Sequence, residues 1–324
     1  MGTRPPRLDP NRPMDEERLP FYRPKQFYLY KVLGKLGYGS YSTVWLCHDK
    51  SNCDYVAVKV LTTSRSGKAL SSEINAYEHL SRLDSSHIGG AYIRARSCKF
   101  SEPLLKETLI CILQALDFLH REANVVHSDI KASNIMLNID DASILEEFEK
   151  AEQENPSPRK VVDSNRTIYK SRKLSSPRDG LWGPPVLSPE VLFDMKWSFS
   201  ADIWNLGVMI WDIFENKHMF NALDEDGEYS PSHHVAEMVA YLGLPPLHFL
   251  QRSQGARHVF DEDGKWLGAG GVSIPSTSLE ESEENLSGQN KQAFLRFIRS
   301  MLQWVPEERK TAKELLDDPW LNAP

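Results

Sequence analysis

Apolar positions recur along the chain with two different periods. Between Val32 and Leu61 the period is two. Val56, Val58 and Val60 alternate with Ala57, Lys59 and Leu61, which predicts a strand, and Val44–Cys47 predicts a second. Gly34, Gly37 and Gly39 stand between Leu33 and that second strand, so they occupy a strand–turn–strand. Further on the period lengthens to three or four. Leu70, Ile74, Tyr77 and Leu80 predict a helix over 68–83. Leu105, Leu109, Ile112, Leu116 and Leu119 predict a stronger one over 102–120, with Ser101 as N-cap and Pro103 in the first turn. Ala201–Glu215 predicts a buried helix bearing Trp204, Trp211 and Phe214. Lys291–Gln303 and Thr311–Leu316 predict the last helices, and no internal repeat interrupts the series.

This change of period divides the chain. Residues 1–26 are proline-rich and read as a flexible tail, 27–98 as a small strand-rich domain, and 99–324 as a larger helical one. Residues 141–184 are charged and rich in Pro and Ser, and are expected to form a mobile insert in the larger domain. At 324 residues and 40% hydrophobic content, the chain can bury a sizeable core without covalent staples.

Charge and cysteines narrow the function classes. Against 45 acidic residues stand 38 Lys and Arg, a net charge of -7, which argues against a broad basic face for nucleic acid. Residues 221–290 are the most acidic stretch, with 12 Asp and Glu against 3 Lys and Arg. Taken singly, clusters such as Asp224–Asp226 and Asp261–Asp263 read as solvated loops. Cys47, Cys53, Cys98 and Cys111 form no C-x-x-C pair, so neither a zinc site nor a redox motif is signalled. Reduced thiols in a cytoplasmic and/or nuclear protein are expected. No apolar run is long enough to span a bilayer, and the N-terminus has neither an apolar signal core nor a myristoylation pattern, so no membrane partner is expected.

Two segments carry candidate chemistry. In the first, Leu36-Gly37-x-Gly39 leads through Val44 to Val-Ala57-Val-Lys59. Glycines between strands let backbone N–H groups approach a phosphate, although a hairpin turn reads the same way taken alone. Lys59 shares a strand face with Ala57, and a lysine in an apolar strand needs a partner, which Glu73 on the next helix could supply. No G-K-[ST] follows, so this is not a Walker A loop. The second segment, His127-Ser-Asp129-Ile-Lys131-Ala-Ser-Asn134, lies between the apolar runs Val125-Val126 and Ile135–Leu137. It gathers a base, a cation and an oxygen ligand on one loop, where an Asp can accept a hydroxyl proton, a Lys can stabilise a phosphoryl oxygen and an Asn can bind Mg²⁺, although taken alone a polar turn after a helix reads the same way.

In order along the chain, Gly37-x-Gly39, Lys59, Glu73, His-Ser-Asp129-x-Lys131-x-x-Asn134, Ser-Pro-Glu190, Asp202-Ile-Trp-Asn-Leu-Gly207 and Arg309 resemble the eukaryotic protein kinase signature over roughly residues 30–322. More narrowly, Lys35–Leu46, with Ser42 where a third glycine is usual, resembles the SR-protein kinases, as do His-Ser-Asp and the long insert after the catalytic loop. The resemblance implies an α+β bilobal fold, with a small β-rich N-lobe (reduced here) and a larger α-helical C-lobe. It implies transfer of the ATP γ-phosphate to serine of basic Arg-Ser-rich proteins, with ATP and Mg²⁺ as cofactors. Leu36, Gly37, Gly39, Val44, Ala57, Lys59 and Glu73 would then bind ATP, and Asp129 and Lys131 would be catalytic. Asn134 would hold the metal, Asp202 would bind the catalytic-loop backbone, and Glu190 with Arg309 would form a structural ion pair.

The sequence departs from that pattern in three places. Asp-Phe-Gly is missing; two substitutes for its metal-binding carboxylate can be imagined, Asp163, which lies in text resembling the family's insert, and Asp179-Gly180, which stands only 11 residues before Glu190. Only Ser85–Ser101 joins the helix after Lys59 to the next large helix, where the family has two strands, a hinge and a short helix. The first strand also starts late. The alternative function is therefore a catalytically impaired pseudokinase scaffold or a truncated gene product.

Overall fold

The computed structural model describes residues 29–39, 42–52, 54–61, 75, 78–80, 82, 101–134, 143–162, 167–172 and 187–323. Its main elements, in chain order, are β1 (Tyr30–Gly39), β2 (Ser42–Asp49), β3 (Tyr55–Leu61), α1 (Glu102–Arg121), α2 (Ser143–Glu154), β4 (Arg159–Val161), β5 (Thr167–Tyr169), α3 (Phe199–Glu215), α4 (Pro231–Leu242), α5 (Gly288–Met301) and α6 (Ala312–Leu316). The chain forms two compact units. Met1–His79 with Ile139–Arg178 makes the small one, and Leu80–Asn138 with Asp179–Pro324 the large one.

In the small unit, β1, β2 and β3 form an antiparallel sheet in that order. Cross-strand partners point to one face, and rows two residues apart alternate back to it. Trp45 and Cys47 are buried on one face, and burial pushes the Cys47 thiol up to about 11. The insert departs from expectation. Its described part is the helix α2 and the antiparallel pair β4–β5, and both belong to the small unit. Charge conceals the reason in the sequence. Ile144, Leu145, Phe148, Glu149 and Glu152 recur at helical spacing as the less exposed face of α2, while Glu146, Glu147 and Lys150 face solvent. Tyr169 of β5 meets Trp45 edge-on at 5.5 Å between ring centroids.

The large unit is built around α3. Apolar residues occur on all sides of this helix, and Trp204, Leu206, Ile210 and Trp211 are fully buried. The helix ends where Asn216 turns left-handed at φ 54°. α1 buries Leu105, Leu109, Leu113 and Leu116 in the same core, and α5 adds Phe294, Phe297 and Ile298. Ser101 takes the N-cap position of α1, with no side-chain hydrogen bond. At α6, Thr311 and Glu314 form a reciprocal capping box. No described helix is long and apolar enough to cross a membrane.

Candidate functional site

In the large unit the catalytic-loop candidates are held from below by one carboxylate. Asp202 lies in the first turn of α3, where the helix dipole favours a negative charge, and it is fully buried. A buried charge requires partners. The backbone N–H of His127 donates to its Oδ2 at 2.7 Å, that of Ser128 to its Oδ1 at 2.7 Å, and His120 Nε2 lies 2.9 Å from Oδ2. His120 is in turn stacked on Phe199 at 4.8 Å. Meeting both Asp202 oxygens coincides with a left-handed Ser128, φ 63°. Ile130 packs against the core from within the same loop.

Asp129 lies between these anchors with its side chain 60% exposed. Lys131 Nζ is 2.8 Å from its Oδ1, and Asn134 Nδ2 donates to its Oδ2 at 2.7 Å and to its main-chain oxygen at 2.8 Å. Partial burial raises the Asp129 pKa, but hydrogen bonds from Lys131 and Asn134 and the Lys131 charge outweigh it and hold the carboxyl below its ordinary value. The loop therefore presents a carboxylate kept ionised beside an ammonium. Sequence reading missed His120, which the end of a strongly periodic helix gave no reason to single out.

Glu190 and Arg309 also come together. The guanidinium donates to both carboxylate oxygens at 2.8 and 2.7 Å, and both side chains are fully buried. Arg309 donates further to the main-chain oxygens of Ser200 and Gln303, each at 2.9 Å, and lies over the Trp204 ring. A cavity of about 960 Å³ opens beside this pair and His120, and Asp129, Lys131 and Asn134 do not line it.

In the small unit, cross-strand register places the other candidates on one sheet face. Gly37, Val44 and Lys59 form one row, and Gly34, Leu46 and Ala57 the next. Two register shifts in β1, at Val32/Gly34 and at Lys35/Gly37, insert one extra residue between rows, and Leu36 is the extra residue of the second shift. Gly39 pairs with Ser42 at the hairpin end. Val44 is half-buried, while Ala57 and Lys59 are exposed. Lys59 is thus exposed, and it is not without an interaction. Glu73 lies outside the described residues, as do Asp163 and Asp179.

A carboxylate on this face was not foreseen. Glu149 of α2 accepts from Lys31 Nζ at 3.1 Å and Tyr55 Oη at 3.2 Å, and lies 3.2 Å from His48 Nε2. Burial opposes its charge, yet these three contacts hold its pKa below the ordinary value. No short motif announces such a contact, because its partners lie about a hundred residues away.

Among the described residues no group of three His, Cys, Asp or Glu side chains is placed to hold a metal ion. A family model described as a protein kinase domain matches residues 86–321. A serine/threonine protein kinase of Aspergillus fumigatus is 36% identical over 98% of this chain and 93% of its own length. That alignment runs over 384 positions against a chain of 324, so it opens gaps on this chain's side. The serine/threonine-protein kinase SRPK of Physarum polycephalum is 24% identical over 90% of this chain and 85% of its own. The mouse dual specificity tyrosine-phosphorylation-regulated kinase 3 is 25% identical over 91% of this chain, which spans 54% of that protein. A solved kinase domain is similar in fold, with a TM-score of 0.66 and 19% identity, over 95% of this chain and all of that one. The non-catalytic scaffold finds no support among these relatives. The chain belongs to the protein kinase family and is an ATP-dependent protein kinase of the serine/threonine class.

Proposed function

We propose that this kinase phosphorylates serine in basic, Arg-Ser-rich protein segments. The observation that carries the substrate reading is the acidic stretch 221–290, where 12 acidic residues face 3 basic ones. Several of these acids serve the fold. Asp224 and Asp261 accept from nearby backbone N–H groups in their turns, and Glu237 and Glu283 do the same for their neighbours. Glu225, Asp226, Glu228, Glu262 and Asp263 remain exposed, enough to attract a polycationic peptide. The SRPK of Physarum polycephalum among the relatives supports the same reading.

The resemblance to protein kinases supports the following roles. The small unit supplies the nucleotide contacts: the backbone from Gly37 to Ser42 over the phosphates, Leu36, Val44 and Ala57 against the base, and Lys59 on the α- and β-phosphates, with Glu73 as its partner. In the large unit, Asp129 orients the serine hydroxyl. The hydroxyl oxygen bonds to the γ-phosphorus, the bond from that phosphorus to the β–γ bridging oxygen breaks, ADP departs, and the hydroxyl proton passes to Asp129. Lys131 offsets negative charge on the moving phosphoryl group. Asn134 fits a hard cation, because its Nδ2 is turned to Asp129 and its amide oxygen is left as an acceptor. Mg²⁺, when bound, supplies charge neutralisation across the β- and γ-phosphates. The carboxylate that completes such a site is sought at Asp163 or Asp179.

The test is phosphate transfer from Mg-ATP to an Arg-Ser repeat peptide and to a peptide with each Arg replaced by Glu. Transfer to the first should exceed transfer to the second, and Asp129→Asn should lower it by about 10²-fold or more. Equal use of both peptides would end the substrate reading, and an Asp129→Asn variant as fast as the parent would end the assignment of the base.

A further inference from the structure

The insert helix covers part of the sheet face that carries the nucleotide candidates. Three successive rows cross that face. Lys31, His48 and Tyr55 form the first, Gly34, Leu46 and Ala57 the second, and Gly37, Val44 and Lys59 the third. Glu149 spans the first row and contacts one side chain from each of the three strands. Phe148 lies on the second. It is 4% exposed, and a Cβ at Gly34 would come within 2.8 Å of its ring. Leu46, in the same row, is equally buried. The exposed Lys59 lies in the third row.

β1 is the element that needs this support. It is an edge strand with two register shifts, one on either side of the second row. Each shift leaves one residue unpaired, locally disrupts the ladder and bends the strand. Phe148 presses on Gly34 between them, and Glu149 holds Lys31 before the first. A second tie comes from beyond β5, where the backbone N–H of Arg172 donates to the main-chain oxygen of Lys35 at 2.9 Å. Arg172 Nε also donates to Glu152 of α2 at 2.7 Å. The insert thus grips β1 at Lys31, Gly34 and Lys35, immediately before the glycine loop.

We propose that Phe148 and Glu149 are positioning residues for ATP: by fixing β1 across its two bulges, the insert helix sets where the Gly37–Ser42 loop and the third row meet the nucleotide. This rests on the assignment of Gly37, Val44, Ala57 and Lys59 to nucleotide binding. The insert is then a structural part of the nucleotide-binding unit.

The experiment measures equilibrium binding of a fluorescent ATP analogue to the full chain, together with the ATP KM and kcat wherever transfer is measurable. Phe148→Ala and Glu149→Ala should weaken nucleotide binding by roughly three- to tenfold, with kcat at saturating ATP changed less. Phe148→Leu and Glu149→Gln keep bulk and hydrogen bonding respectively, and should recover most of that loss. Lys150→Ala, on the solvent side of α2, should bind as the parent does. Folding is checked by circular dichroism, and if an alanine variant unfolds, the Leu and Gln variants carry the comparison against Lys150→Ala. Folded Phe148→Ala and Glu149→Ala chains that bind the analogue like the parent would overturn the proposal, as would Leu and Gln variants no better than alanine. A Lys59→Ala chain that binds the analogue unchanged would instead indict the nucleotide-site assignment, so the two failures are distinguishable.

Discussion

The two units solve the problem of burial differently. The large unit packs α1, α3 and α5 around one continuous aromatic and aliphatic core, in which Trp211 and Trp320 both contact Phe294. Among its described residues the small unit buries few large side chains: Trp45, Leu46, Cys47, Phe148 and Ile168, with Lys35, Ser42, Thr43 and Ser157 beside them. A small core leaves a thin margin of stability. The large unit can therefore hold the His127–Asn134 loop on a buried carboxylate, whereas the small one relies on single contacts such as Glu149 and Phe148. The His127–Asn134 loop should be insensitive to local changes that disturb the β1–β3 sheet.

The largest expected effect lies in the large unit. Glu190→Ala leaves the fully buried Arg309 guanidinium without its carboxylate. Breaking a buried pair by removing one partner costs about 3–5 kcal/mol. Urea unfolding followed by peptide-resolved hydrogen exchange should show that loss in α3 and α5 while β1–β3 keep their protection. Equal loss in both units would mean that they do not unfold independently.

Acid separates the units next. His234 of α4 is buried, its Nε2 has no hydrogen-bond partner among the described residues, and burial pushes its pKa from 6.5 down to about 4. Between those values the unfolded chain binds a proton that the folded chain does not, so stability falls as pH falls from 6.5 towards 4, by up to about 3 kcal/mol. Burial raises the carboxyls of Asp212, Glu215 and Glu237, which act in the opposite sense. The His234 share is therefore the difference between parent and His234→Leu, and a pH slope unchanged by that substitution would refute it. In the small unit Glu149 is held below its ordinary 4.5, so its contribution is present above that value and is lost only as pH falls below it.

The same contrast decides what could be read from sequence. α1 and α3 were legible because their apolar spacing is long and regular, and a core dominated by α3 leaves that spacing intact in Leu105, Leu109, Trp204 and Trp211. Asp202 and the Glu190–Arg309 pair were legible through resemblance, since no local pattern links residues 119 apart. The insert was misread because its packing face includes Glu149 and Glu152, whose charges serve partners on β1–β3 and on Arg172. Composition registers such residues as solvated, and only the fold shows what they contact. At Lys59 the apolar strand suggested burial, but the position is exposed.

The smallest predicted effect tests whether the small unit depends on close fit at one point. A Cβ at Gly34 would lie 2.8 Å from Phe148 Cε1 and 2.9 Å from Glu152 Cγ. Neither atom can retreat easily, because the ring is buried and Glu152 is held by Ser157 and Arg172. Gly34→Ala should then cost about 1–3 kcal/mol by overpacking. The loss should appear as faster hydrogen exchange in β1 and α2, with the catalytic-loop peptides unchanged. Phe148→Leu should relieve it, so the double variant should be more stable than the sum of the single effects predicts. Strict additivity would show that the ring does not press on Gly34, and the small unit would then be as tolerant of local change as the large one.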